Sequence, residues 1–166
     1  MNQWSLKSHE MDGQWSIKDD RHGETGNKMG FMAEYQNNMD AKGRVIFPVK
    51  FRDAVGSKFI LTKGIEHNLT IYPLKEWEKV EEKLSKLKMS NPASRNLRRR
   101  LQGSAVEVEV DNQDRISIPQ NLRIFAQLEK EVLFIGQGDY IEIWSKSNYD
   151  AINDFDLTDA LEDIDF

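Results

Sequence analysis

The stretch Asp40-Ala41-Lys42-Gly43-Arg44-Val45-Ile46-Phe47-Pro48 returns as Asp111-Asn112-Gln113-Asp114-Arg115-Ile116-Ser117-Ile118-Pro119, displaced by 71 positions. Asp, Arg and Pro recur at the same spacing, and the flanks recur with them. Upstream, Tyr35, Asn37 and Met39 align with Val106, Val108 and Val110; downstream, Phe51-Arg52 aligns with Leu122-Arg123. With one residue inserted, Leu69-Thr70-Ile71-Tyr72 meets Ile141-Glu142-Ile143-Trp144. A period this long, seen only twice, marks the duplication of one supersecondary unit and not a solenoid. A chain with two copies of one polar turn presents two like contacts to a repetitive ligand.

Within each copy the pattern is that of short strands around a turn. Ala33–Met39 reads as a strand, followed by the turn Asp40-Ala41-Lys42-Gly43. Gly43 can take a positive φ, and Asp40 can accept backbone N–H bonds there. Arg44–Phe47 continues as a strand with Val45 and Phe47 on one face, and Pro48 opens a short helix through Val55. Phe59–Thr62 and Leu69–Tyr72 read as two more strands around Gly64. A helix from Pro73 carries Leu74, Trp77, Val80, Leu84 and Leu87 at spacings of three and four, with Glu82 and Lys86 as a supporting pair. Asn91-Pro92 gives an N-cap and a first-turn proline for a helix to Gln102 that carries Arg95, Arg98, Arg99 and Arg100. Ala105–Val110 alternates Val106, Val108 and Val110 with Glu107 and Glu109, a half-buried strand. The second copy repeats the plan to Phe155, with Tyr149, Ile152 and Phe155 striping a last helix.

The expected organisation is an extension over 1–28, a first repeat over 29–88, a linking basic helix over 89–103, a second repeat over 104–155 and an acidic tail over 156–166. The extension is polar and without period, and is expected to be disordered. Met29 or Met32, where the pattern begins, is a candidate start. The fold class expected is mainly β with short helices (α+β). Neither unit is large enough to bury a sufficient core alone, so the two are expected to interlock and close each other's sheet edges.

The 166 residues carry a net charge of −5 and no Cys, which excludes disulfides and thiolate chemistry. No apolar run approaches the roughly 20 residues of a membrane helix, so no membrane contact is expected, and the start lacks a secretory h-region. A cytoplasmic protein is the expectation. The whole-chain charge hides a strong asymmetry. Residues 1–27 hold three Lys/Arg against five Asp/Glu; residues 28–125 hold 18 against 12; residues 126–166 hold two against 11. A basic body of +6 therefore precedes a segment of −9, and nucleic acid is not excluded by the overall sign.

From Met32 to about Tyr149 the chain resembles the MraZ family, transcriptional regulators of the bacterial division and cell wall cluster. The resemblance rests on Asp40-Ala41-Lys42-Gly43-Arg44, Tyr72-Pro73-Leu74-Lys75-Glu76-Trp77, Met89-Ser90-Asn91-Pro92, Gly103-Ser104-Ala105 and Ile118-Pro119. Leu128-Glu129-Lys130-Glu131-Val132 and Ile141-Glu142-Ile143-Trp144 extend it. It implies an AbrB-like swapped-hairpin, double-psi-like β-barrel built from two tandem repeats in one chain. It implies a ring-shaped homo-oligomer, nucleoid association, and binding to double-stranded DNA at G-rich direct repeats in the promoter of its own operon, with repression as the outcome. It also implies that the D-x-x-x-R turns make the DNA contacts.

Those residues suit the chemistry. Arg44 and Arg115 offer planar forks that can bond bidentately to O6 and N7 of guanine, each pair worth about 1–3 kcal/mol of discrimination. Asp40 and Asp111 brace the turn, orient the arginine or accept from a cytosine amino group. Lys42 suits a phosphate or guanine, and Gln113 could read adenine. Without other context an Asp and an Arg four apart on a hairpin make only a local salt bridge. Asp114 stands where the first turn has Gly43, fits a positive φ less well, and adds a negative charge beside Arg115; the first turn is therefore expected to dominate.

The arginine-rich helix reads either as a phosphate track or, preferably, as an interface helix facing Glu78, Glu81 or Glu82 of a neighbouring copy. Arg52 and Arg123 read as structural, Trp77 and Trp144 as core, and the acidic tail as solvated. His9, His22 and His67 lack metal-ligand spacing, and no P-loop, nucleophile elbow or dinucleotide fingerprint is present. No enzyme activity, cofactor, metal or small-molecule substrate is expected. The competing reading is an oligomeric protein-interaction module without specific DNA binding.

Overall fold

The computed structural model describes residues 30–153 and 155–164. The expected extension over 1–28 lies outside the described residues. The first repeat supplies β1 (Glu34–Asn38), β2 (Arg44–Ile46), α1 (Val49–Val55), β3 (Lys58–Lys63), β4 (Leu69–Tyr72) and α2 (Leu74–Ser85). After α3 (Pro92–Leu101), the second supplies β5 (Val106–Glu109), β6 (Arg115–Ser117), α4 (Gln120–Phe125), β7 (Glu131–Gly136), β8 (Ile141–Ser145) and α5 (Lys146–Ile152), and α6 (Thr158–Asp163) follows.

The strands pair across the repeats. One antiparallel sheet has the order β1-β7-β8-β4-β3-β5, and β2 pairs with β6 in a separate two-stranded ribbon. Each repeat therefore lends its first hairpin to the other: β1 lies on β7, while β5 lies on β3. The order reads the same when the repeats are exchanged, as an approximate two-fold axis between β4 and β8 requires. The register keeps that symmetry. Asn37 faces Val132, and its counterpart Val108 faces Phe59. The sheet edges β1 and β5 continue through the two polar turns into the ribbon, so closure runs through the turns and the isolated Met39–Val45 bridge, without a continuous ladder. No edge is left as a long free template.

Why the halves interlock is visible in the core. Val45, Phe47, Phe51, Phe59, Leu61 and Ile71 are buried from the first repeat, and Ile116, Ile118, Leu122, Val132, Phe134 and Ile143 from the second, in one cluster. Phe47 stacks on Phe59 at 5.1 Å and meets Phe134 edge-on at 5.6 Å, so rings from both repeats share one centre. The offset between equivalents changes along the chain: 71 at Val45–Ile116, 73 at Phe59–Val132 and 72 at Ile71–Ile143. The single inserted residue expected from the sequence is thus a net result. The α4–β7 connection is longer, and the hairpin after β7 is shorter.

The outer faces are covered unevenly. Leu133, Ile135 and Trp144 form a small cluster under Tyr149 and Ile152 of α5. The Tyr149 hydroxyl donates to Glu34 Oε1 at 2.6 Å, joining α5 to β1; this bond pushes its pKa up to about 12. Trp77 of α2 is buried beside Tyr72, so both Trp77 and Trp144 are core, as read from their stripes. The Asn91 side chain accepts from Ala93 N–H at 2.9 Å, the cap anticipated for α3. Ser104 gives the Gly103-Ser104-Ala105 motif its reason: its hydroxyl donates to Arg100 O and accepts from Lys63 N–H, tying α3 to β3.

Two local expectations change. The helix carrying Tyr149 and Ile152 stops at Ile152, leaving Phe155 outside it and 72% exposed. The acidic tail, read as solvated chain, contains the helix α6, which follows Leu157 at its N-cap and carries Leu161.

Candidate nucleic-acid interface

Both Asp-x-x-x-Arg turns adopt one geometry. Asp40 Oδ1 accepts from the backbone N–H of Lys42 and of Arg44, each at 2.9 Å, while Oδ2 accepts from Arg44 Nε at 2.8 Å. In the second turn Asp111 Oδ1 accepts from Gln113 N–H at 2.8 Å and Arg115 N–H at 2.9 Å, and Oδ2 from Arg115 Nε at 3.0 Å. The Asp is both turn cap and arginine holder, because a carboxylate has oxygens enough for both tasks. In each copy the backbone bond to the arginine leads in holding the carboxyl below the usual carboxylate range.

Gly43 and Asp114 both occupy the left-handed region, at φ 82° and 60°. Gly43 also lies under the Arg123 side chain, where a Cβ would come within 2.6 Å of the guanidinium carbon. The Asp114 carboxylate pairs with Arg52, the repeat equivalent of Arg123. The added negative charge of the second turn is therefore answered from the first repeat, and does not stand free beside Arg115. Arg52 is structural, as read from the sequence.

Between the turns, β2 and β6 alternate faces. Val45 and Phe47 with Ile116 and Ile118 point into the core, so Arg44, Ile46, Arg115 and Ser117 share the outer face. Arg44 lies opposite Ser117, and Ile46 opposite Arg115. Arg44 and Arg115 are thus diagonal neighbours, with Cα atoms about 7–8 Å apart by ladder geometry. The sequence indicates two like contacts; only the ribbon brings them together. The local salt bridge and an outward guanidinium coexist: the bridges use Nε, and the terminal amino groups of Arg44 and Arg115 bond to no partner among the described residues. Lys42 and Gln113 stand exposed on the turns.

The two ends of the ribbon differ in their surroundings. Glu107 and Glu109 share a shallow groove with Asp111, Arg115 and Ser117. At the equivalent positions beside Arg44 the chain has the neutral Gln36 and Asn38. In the sequence Glu107 and Glu109 mark only the polar face of a strand, although the 71-residue displacement aligns them with neutral residues. Asn37, which donates from Nδ2 to Ile46 O at 2.8 Å and so ties β1 to the ribbon, gave no sequence signal beyond its place in the repeat.

Among the described residues no group of three or more His, Cys, Asp or Glu is placed to hold a metal ion, and no helix is long and apolar enough to cross a membrane.

A family model described as "MraZ protein, putative antitoxin-like" matches residues 30–100 and then residues 101–163. The chain belongs to the MraZ family. It is 44% identical over 140 residues to the transcriptional regulator MraZ of Halothermothrix orenii, covering 81% of this chain and 98% of that protein. With the transcriptional regulator MraZ of Leuconostoc citreum it shares 42% identity over 142 residues, or 82% and 99% of the two chains. With that of Acetivibrio thermocellus it shares 50% over 121 residues, or 73% and 85%. The paired matches agree with the tandem repeats, and MraZ membership agrees with the mainly β, swapped-hairpin architecture described above.

Proposed function

We propose that this chain is a sequence-specific DNA-binding transcriptional regulator whose reading head is the β2–β6 ribbon. The observation that carries this is the pair of Asp-braced arginines, Arg44 and Arg115, on one exposed face. A two-stranded antiparallel ribbon fits the major groove of B-DNA, where each base pair displays its own donors and acceptors. With Nε held by aspartate, each guanidinium offers its two terminal amino groups end-on, a fork matched to O6 and N7 of guanine. Holding the fork in advance reduces the side-chain ordering that binding would otherwise cost. Lys42 lies at the turn to meet phosphate or guanine, and Gln113 at its counterpart to meet adenine; Asp40 and Asp111 position, and Gly43 gives the turn its φ. Glu107 and Glu109 lower the potential around Arg115, so the first turn contributes more.

The relatives' name supports a role in transcription regulation, and the finer reading follows the family resemblance of the sequence. The chain binds G-rich direct repeats in the promoter of its own division and cell wall operon and represses it by excluding polymerase, working as a ring-shaped homo-oligomer on the nucleoid. Binding to its own promoter region tests this by gel shift and nuclease protection. Arg44→Ala should abolish specific binding while assembly is unchanged, and Arg115→Ala should cost less. If Arg44→Ala still protects the repeats from nuclease, the ribbon is not the reading head. An interaction module without DNA binding predicts no shift even at low salt.

A further inference from the structure

Among the described residues, no carboxylate answers the arginines of α3. Arg95 donates from Nη1 to the Met89 carbonyl at 2.8 Å, and Arg99 from Nη1 to Asn96 Oδ1 at 2.9 Å. Arg100 donates from Nε and Nη2 to the carbonyls of Gly64 and Glu66, at 2.8 and 3.0 Å. None of the ion pairs among the described residues includes α3. Beside this helix, Phe125 has Lys63 Nζ and the Arg100 guanidinium carbon each 4.9 Å from its ring centroid. Lys63, Ile65, Leu97, Arg99, Arg100 and Phe125 line an open groove of about 520 Å³. Ile65 at its rim is 67% exposed. Ile65, Leu97 and Phe125 give the groove apolar lining, and Lys63, Arg99 and Arg100 give it cations.

The C-terminal segment has the complementary chemistry. Leu157, Leu161 and Ile164 recur at spacings of four and three, with Leu161 inside α6 and Leu157 and Ile164 at its two caps. They are exposed by 61%, 43% and 63%. Asp159, Glu162 and Asp163 lie on α6 beside the neutral Thr158 and Ala160. A helix this short is marginal in water by its own propensity and gains stability by laying its apolar stripe on another surface. In its own chain that stripe is left exposed.

We infer that the groove receives α6 of a second copy of this chain. Leu157, Leu161 and Ile164 enter against Ile65, Leu97 and Phe125, and the acidic positions face Arg99 and Lys63. Within the proposed ring, each copy gives its helix to one neighbour and receives a helix from the other, a head-to-tail contact. It is independent of the ribbon, and DNA binding reports on it only through assembly.

The absence of cysteine makes the test direct. Full-length Ile65→Cys chain is mixed with mass-tagged Leu161→Cys chain and oxidised, with Lys50→Cys in place of Leu161→Cys as the collision baseline; Ile164→Cys is a second reporter should Leu161→Cys loosen the helix. A tagged–untagged disulfide well above baseline is expected, falling at high salt. Arg99→Glu in the groove partner should lower its yield about two- to fivefold, the scale of one exposed charge pair. A tail partner carrying Glu162→Lys should restore it. A yield no higher than baseline with both reporters overturns the proposal. So does closure of the disulfide within a single chain carrying both cysteines at high dilution, which would put the chain's own tail in the groove. An unchanged yield with Arg99→Glu does the same.

Discussion

An arginine whose Nε is already bonded has only its terminal amino groups to offer, and this fixes how Arg44 and Arg115 can approach a base pair. The braces themselves are sensitive to acid. Asp40 and Asp111 are held below the ordinary aspartate value, so each binds its proton more weakly folded than unfolded. The stability they lend is therefore complete above that value and is lost as the pH falls through the lower, folded value. Carboxyl-carbon titration by NMR should place both midpoints below 3.8, and the two turns should loosen together. A midpoint at or above the ordinary carboxyl value in either turn would mean that its brace is not formed in solution. Gly43 gives a second residue-scale prediction. A Cβ at φ 82° meets the Arg123 guanidinium, so Gly43→Ala combines backbone strain with displacement of that side chain. Denaturant unfolding should show a loss of about 1–3 kcal/mol. Alanine at Lys42, exposed on the same turn, should cost little stability; equal losses at the two positions would remove the steric argument.

The swapped hairpins make each repeat incomplete. Without the second repeat, β1 has no β7 and β2 has no β6, and Phe47 loses the ring of Phe134. Residues 30–91 alone should therefore show no cooperative monomeric unfolding transition by circular dichroism, and likewise residues 92–164. Mixing the two fragments should restore the sheet. A single fragment that unfolds cooperatively as a monomer would contradict the cross-repeat pairing. The element scale also explains which features of the sequence were informative. Alternation in Ala105–Val110 and the Leu74–Leu87 stripe are local, because an element's period reflects which of its own faces is buried. The partner that buries the face leaves no periodic trace. That is why β5 could be recognised in the sequence while its pairing with β3 could not.

For the molecule as a whole, the proposed function turns on repetition. One ribbon reading one repeat is a weak contact; copies held in one assembly raise the effective concentration, by about 10²–10⁴ over a single site. Duplexes with the full set of promoter repeats should bind the assembled protein at least about 10² more tightly than duplexes with one repeat. Equal affinity for both would remove avidity from the mechanism. The amino-acid sequence alone determined the duplication, the turn chemistry of Asp40–Arg44 and Asp111–Arg115, the φ demanded of Gly43, and the burial of Val45, Phe47, Trp77, Val108, Val110 and Trp144. These follow from residue type and short spacing, which act within one turn or one element. Tertiary structure decided the rest: the crossing of the hairpins, the shared face of Arg44 and Arg115, the Arg52–Asp114 pair 62 residues apart, the acidic flank of the second turn, and the cationic groove around Phe125. Each joins groups far apart along the chain, and contacts between distant groups are set by how two half-cores bury one another, for which no local pattern exists.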